Sequence, residues 1–284
     1  MASFEVPQPE SAGFGVSDLM HHIELPESGQ LLAVLDATCT NVRVSIGNLP
    51  DWMNLLCVIH DRFRDCMAVK VTTEIDVVPL LLARLSYDDW VASVMLVLSG
   101  QLPAAYASMR PALESAVLAL HCSCSLELQE IWLKRNESRG DFKRSRTSFA
   151  WCELLKSLQE NRCRELGLVG CPRSGRPCGG LVQCLYDKLN DAGAHANAYS
   201  VLSTVGSGAD GWNVEQFRCG DVTMRVALKT VAYTGCVTAN AIRGAIRLEP
   251  MPGRLLEWVD DVSRVTLPGE PTTETLQTCV PHTG

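Results

Sequence analysis

Two residue pairs in this 284-residue chain have the types and spacing to do chemistry. The first is Arg110-x-x-x-Glu114, set in the apolar run 102–120. An isolated charge is expensive to bury, so an Arg and a Glu in such a run need each other or another partner. Four residues apart on a helix, they stack on one face, which also carries Tyr106 and His121. A buried or cleft-lining polar cluster is the expectation. The second pair is Asp191-x-x-x-His195, flanked by Ala192, Gly193, Ala194 and Ala196, which leave space around the ring. A carboxylate beside an imidazole fixes its tautomer and raises its pKa, which suits His195 to general acid or base work. Facing helices would then combine Arg110 for an anion with His195 for a proton, supported by Glu114 and Asp191. The same four residues also describe an interhelical network that fixes helix register. With no nucleophile or metal motif beside them, that structural reading is the preferred one.

A third feature is charge. Residues 134–176 hold eleven Lys and Arg against five Asp and Glu, in a chain of formal net charge −7. The densest part contains Lys134, Arg135, Arg139, Lys143, Arg144 and Arg146, interleaved with Phe142 and hydroxyls. Such a patch suits a phosphate backbone, RNA among them. Its alternatives are a solvated loop, or a segment that docks on the acidic N-terminal third. The acidity of the whole chain argues against general nucleic-acid binding.

Thirteen cysteines are many, but the number is odd. Cys57, Cys66, Cys152 and Cys236 fall in apolar helical text and read as reduced core thiols. A metal site from Cys163, Cys171, Cys178 and Cys184, with His195, lacks the close ligand pairs that zinc sites use. The phosphate loop, the serine-nucleophile elbow, the two-His zinc helix and the paired Glu-x-x-His of di-iron bundles are missing. No metal and no cofactor is expected. No run of eighteen apolar residues exists and the first residues lack a signal-peptide pattern, so the reading is a cytoplasmic protein without a membrane span.

The elements that must position these residues read as helices. Apolar spacing of three and four predicts helices over 30–46, 51–69 with Asp51 as cap, 75–85, and 87–122 with a kink near Gly100 and Pro103. Shorter helices are expected at 126–134, 149–164, 181–198 and 255–262, and the longest uninterrupted one at 221–248. Small residues on that last helix (Ala227, Ala232, Gly235, Ala239, Gly244, Ala245) would let neighbours approach closely. Residues 199–220 read as a flexible loop or short hairpin. The fold class is all-α: a helical-bundle domain over 29–264, which includes the basic segment, with a flexible arm over 1–28 and a polar tail over 265–284.

The stretch Gly100-Gln101-x3-Ala105-Tyr106-x3-Arg110-x3-Glu114, followed by an apolar helix to about Trp132, resembles a group of uncharacterised bacterial helical-bundle proteins. In that group a later helix carries a Tyr and a His, which Tyr186 and His195 resemble. The layout is similar to HEPN domains, helical bundles that include ribonucleases and partners in toxin and phage-defence systems. The HEPN nuclease motif, an Arg four to six residues before a His, does not occur in this chain; Leu189 or Asn190 stands where that Arg would precede His195. The resemblance therefore implies two alternatives. One is a non-catalytic interaction module working through a protein partner or as a homodimer, with an exposed apolar face expected on the 221–248 helix. The other is a metal-independent ribonuclease in which Arg110 supplies the cation, His195 moves the proton and the basic segment holds RNA.

Overall fold

The computed structural model describes residues 30–69, 77–161, 179–194, 205–208, 211–214, 222–248, 251 and 254–264. Ten α-helices are found among them. They are α1 (Gln30–Asn48), α2 (Pro50–Met67), α3 (Val77–Leu98), α4 (Leu102–Cys122), α5 (Leu126–Leu133), α6 (Arg139–Ser148), α7 (Trp151–Asn161), α8 (Gly179–Leu189), α9 (Val222–Ala245) and α10 (Arg254–Val262). A π-helical turn, Asn190–Ala194, extends α8. A two-stranded antiparallel hairpin pairs β1 (Val205–Gly208) with β2 (Gly211–Val214), Val205 opposite Val214. The all-α class holds, and of the two readings of 199–220 the hairpin is the one found. The arm over 1–28 and the tail over 265–284 lie outside the described residues.

Contacts divide the chain into a unit over 1–39 and a unit over 40–284, so the boundary falls inside α1. In the first unit, Thr38 Oγ1 donates to the Val34 carbonyl one turn back, at 2.8 Å. The second unit holds the bundle.

Local chemistry explains the helix boundaries. The expected break near Ser86 does not occur: α3 runs unbroken from Val77 to Leu98, with Pro79 in its first turn, where no helical donor is lost. The break lies after Leu98. Gly100 adopts φ 83°, its N–H bonds the Val97 carbonyl, and the Gln101 N–H bonds the Leu96 carbonyl, both at 2.9 Å. This paired closure needs a left-handed residue, which glycine supplies without strain. Asp51 is not the cap of α2; Leu49 takes that place without a side-chain bond, and Pro50 opens the helix. The basic stretch forms a helix that the spacing does not announce. Ser138 caps α6 by accepting from the Asp141 N–H at 3.1 Å.

The core is organised around α4, which touches α3, α9, α7, α8, α5 and the π turn. Ala105, Ala112, Ala116 and Ala119 are buried along it. The Ser86 hydroxyl bonds the Ala112 carbonyl at 2.7 Å and the Ser108 hydroxyl bonds the Asp89 carbonyl at 3.0 Å, tying α3 to α4. Helix α9 forms the opposite wall. Trp90 is stacked on Phe63 and donates its indole N–H to the Val231 carbonyl at 3.0 Å. A Cβ at Gly235 would stand 2.5 Å from Trp90 Nε1 and 2.8 Å from Ile59 Cγ2, so only glycine admits this approach. The small residues of α9 therefore do what their pattern suggests. The exposed apolar face expected on that helix is not there: Ala227, Leu228, Val231, Ala232, Val237 and Ile242 are all buried.

Candidate functional site: an aromatic cleft beside Arg110

Arg110 and Glu114 pair as their spacing predicts, Nε to Oε1 at 2.9 Å. The pair is not buried. Its side chains keep 31% and 38% of their exposure, which places it at the edge of a cleft. The Arg110 guanidinium also donates to the Tyr186 hydroxyl at 3.4 Å and lies 5.3 Å from the centre of that ring. Tyr186 stacks on Trp151, with centroids 4.0 Å apart and planes 18° from parallel. The Trp151 indole N–H in turn donates to Gln183 Oε1 at 2.9 Å. Residues from α4, α7 and α8 thus form one chain of contacts. Its bond to Glu114, ahead of all other causes, raises the Arg110 pKa above the ordinary arginine value.

The cleft itself has a volume of about 370 Å³. Its walls are the rings of Trp132, Phe149, Trp151 and Tyr186, with Leu85 at one side and Glu114 as the carboxylate among the described residues. Arg135 also lines it and lies over the Trp132 ring at 4.5 Å. Behind Phe149, edge-on at 5.8 Å, sits His121. Among the described residues the Trp132 indole N–H has no hydrogen-bond partner. Burial pushes the His121 pKa down, against weaker opposing effects from the Ser148 backbone and Glu153. A volume of this size, aromatic walls and few polar groups suit recognition of a flat or apolar group.

Arg110 and Glu114 are brought together, and Tyr186 joins them. The π turn carrying Asp191 packs on α4: a Cβ at Gly193 would collide with the backbone of Tyr106 and Ala107. Gly193 is there for that contact, one turn before Arg110, rather than to leave room for an imidazole. The Asp191 side chain is exposed. His195 lies outside the described residues, as do Cys163, Cys171, Cys178 and residues 162–178 of the basic segment. Among the described residues no group of three metal-holding side chains exists. No described helix is long and apolar enough to cross a membrane.

The cations of the basic segment divide. Arg144 pairs with Glu127 at 2.7 Å and Lys134 with Glu130 at 3.9 Å, both acids on α5. Arg139, Lys143 and Arg146 are exposed and make no ion pair among the described residues. Cysteine burial is also mixed. Cys66, Cys122 and Cys236 are buried, whereas Cys57 and Cys152, expected in the core, are exposed. Burial raises the Cys66 thiol to about 11 and the Cys122 and Cys236 thiols to about 12, which leaves them inert.

Trp151 carried no signal in the sequence beyond opening an amphipathic helix. Its role depends on α7 and α8 meeting, which no local spacing reveals. Comparison with protein-family models, with curated proteins and with solved structures finds no match. The resemblance to HEPN-like bundles therefore rests on the quoted residues alone.

Proposed function

We propose that the chain is a helical interaction module, acting through contacts with a second copy of itself. The exposed side of α3 carries this reading. Val77, Leu81, Leu85 and Met95 are between 42% and 56% exposed and, with Ala92, follow one stripe along the helix. In the middle of the stripe Arg84 and Asp88 pair at 3.0 Å. A two-fold axis at Ser86 would set two such helices antiparallel, bringing Arg84 of each copy to Asp88 of the other and Val77 to Met95. The stripe is self-complementary in charge as well as apolar. Leu85 continues it into the aromatic cleft, where the Arg110, Glu114 and Tyr186 groups are already engaged with one another and serve as a wall. Sedimentation velocity tests the reading. A concentration-dependent dimer should be lost in Leu81→Glu/Leu85→Glu and in Arg84→Asp, and regained in Arg84→Asp/Asp88→Arg. A monomer at every concentration, or a dimer indifferent to these changes, overturns it.

One observation favours a second reading. Arg135 belongs both to the basic segment and to the aromatic cleft, and four exposed cations follow it on α6, of which only Arg144 is ion-paired among the described residues. Stacking rings beside a basic track suit single-stranded RNA. Salt-sensitive binding that falls in Lys143→Gln/Arg146→Gln would support it. RNA cleavage abolished by both Arg110→Gln and His195→Ala would extend it to the ribonuclease. Absence of RNA binding at low salt removes both.

A further inference from the structure

The other face of α8 lines a larger pocket, of about 710 Å³, between α8, α9 and the end of α10. Leu181, Leu185 and Val226 give it an apolar floor, and Lys188, Lys229 and Arg264 bring three cations to it. Among the described residues Asp260 is the only carboxylate in the lining. It is already committed: Lys229 Nζ lies 2.7 Å from Asp260 Oδ1, and the Tyr233 hydroxyl also bonds that carboxylate. Lys229 makes a further bond to Ser263 Oγ at 3.2 Å. Lys188 has no acid. Its ammonium donates to the Thr230 hydroxyl at 2.8 Å, and that hydroxyl donates onward to the Val226 carbonyl at 2.6 Å. Lys188 is exposed as a residue, while its ammonium bonds the buried Thr230. Desolvation there, ahead of the nearby Lys229 charge, pushes its pKa below the ordinary lysine value. Arg264 answers Asp261 at 3.1 Å on the open surface, where a pair of this kind holds weakly.

Lys188, Lys229 and Arg264 have two acids between them, Asp260 and Asp261, which leaves a positive charge for an anion to balance. A volume in the range of small-ligand sites, closed on three sides by helices, suits a compact molecule better than a polymer track. The apolar floor calls for an organic body, and the cations for a group that accepts several hydrogen bonds at once. We propose that this pocket binds a small organic phosphate monoester, with its phosphoryl oxygens on Lys188 and Arg264 and its body on Leu181, Leu185 and Val226. The site is independent of how α3 pairs.

Titration calorimetry on the full chain, with phenyl phosphate, inorganic phosphate and benzyl alcohol as probes, tests this. Phenyl phosphate should bind saturably and at least about tenfold more tightly than either other probe. Lys188→Gln and Arg264→Gln should each weaken it by about tenfold, the loss of one charge-assisted bond, whereas Arg62→Gln on α2 should not. Arg264 is largely exposed, so its variant keeps the fold even if Lys188→Gln proves unstable. Cys184, exposed and part of the lining, gives a second readout: bound phenyl phosphate should slow its alkylation and leave that of exposed Cys57 unchanged. Binding indifferent to both substitutions, equal binding of inorganic phosphate, or no saturable binding at millimolar probe overturns the proposal.

Discussion

The two faces of α8 treat charge in opposite ways. Toward α4 and α7, Arg110 is held by a carboxylate, a hydroxyl and a ring. Toward α9 and α10, Lys188 meets only a hydroxyl and a second lysine. The first arrangement is what a structural wall needs, since Arg110, Glu114 and the Tyr186 hydroxyl satisfy one another without a ligand. The second keeps a net positive charge in a concave place. A motif that stands out in the sequence can thus be architecture, while an unremarkable lysine on the next helix carries the opening for a ligand.

Substitutions on both sides should sharpen or break this contrast. Gly193→Ala should have the largest effect, because the new methyl would push into the α4 backbone and drive the π turn away. A loss of about 3 kcal/mol is expected in chemical denaturation. An unchanged midpoint would mean that the π turn does not hold α8 against α4. Trp151→Ala should cost about 2 kcal/mol by removing the ring on which Tyr186 stacks. The next pair is the sharpest, because the signs differ. Arg110→Met should destabilise by about 1 kcal/mol, leaving Glu114 and the Tyr186 hydroxyl without their donor. Lys188→Met should be neutral or stabilise by a few tenths of a kcal/mol, a small gain because Lys188 is exposed as a residue. Two losses of equal size would erase the distinction between the faces.

The smallest effects are in pH. His121, behind the cleft, has a folded pKa below the ordinary 6.5, so the folded state binds its proton less readily than the unfolded chain. Its contribution is fully present above 6.5 and is lost as pH falls through the lowered value. His121→Phe should flatten that acid slope in urea titrations. Lys188 also has a lowered folded pKa, and its charged form is the one that costs. Stability should therefore rise with pH from the lowered value toward 10.5, and Lys188→Met should flatten this alkaline rise. Slopes unchanged by either substitution would detach these groups from the pH response.

What the sequence could show follows from how local each feature is. The Arg110–Glu114 pair was legible because four residues on one helix decide it. Its half-exposed setting was not, since that depends on Trp151 and Tyr186 arriving from two other helices. The burial of α9 was half legible: its small residues signalled close neighbours, yet an apolar face on the outside was expected because a single helix does not reveal how many sides are covered. The helix boundary expected between Leu85 and Tyr87 is not there, whereas Gly100, read as a kink, marks the end of α3. Helix α6 was hidden by its charge, which obscures apolar periodicity, although Ser138 and Asp141 stood at capping distance. Lys188 had no sequence signal, because its character comes from lysine, threonine and aspartate residues far along the chain.

The bond from Trp90 to the Val231 carbonyl spans 141 residues. It joins the middle of the bundle to a helix made late in synthesis. Until α9 leaves the ribosome, Trp90, Phe63 and Ile59 have no cover on that side, and helices α2 to α4 present a raw apolar wall. The chain should therefore mature late for a helical protein, with a window of chaperone dependence that closes only when α9 emerges.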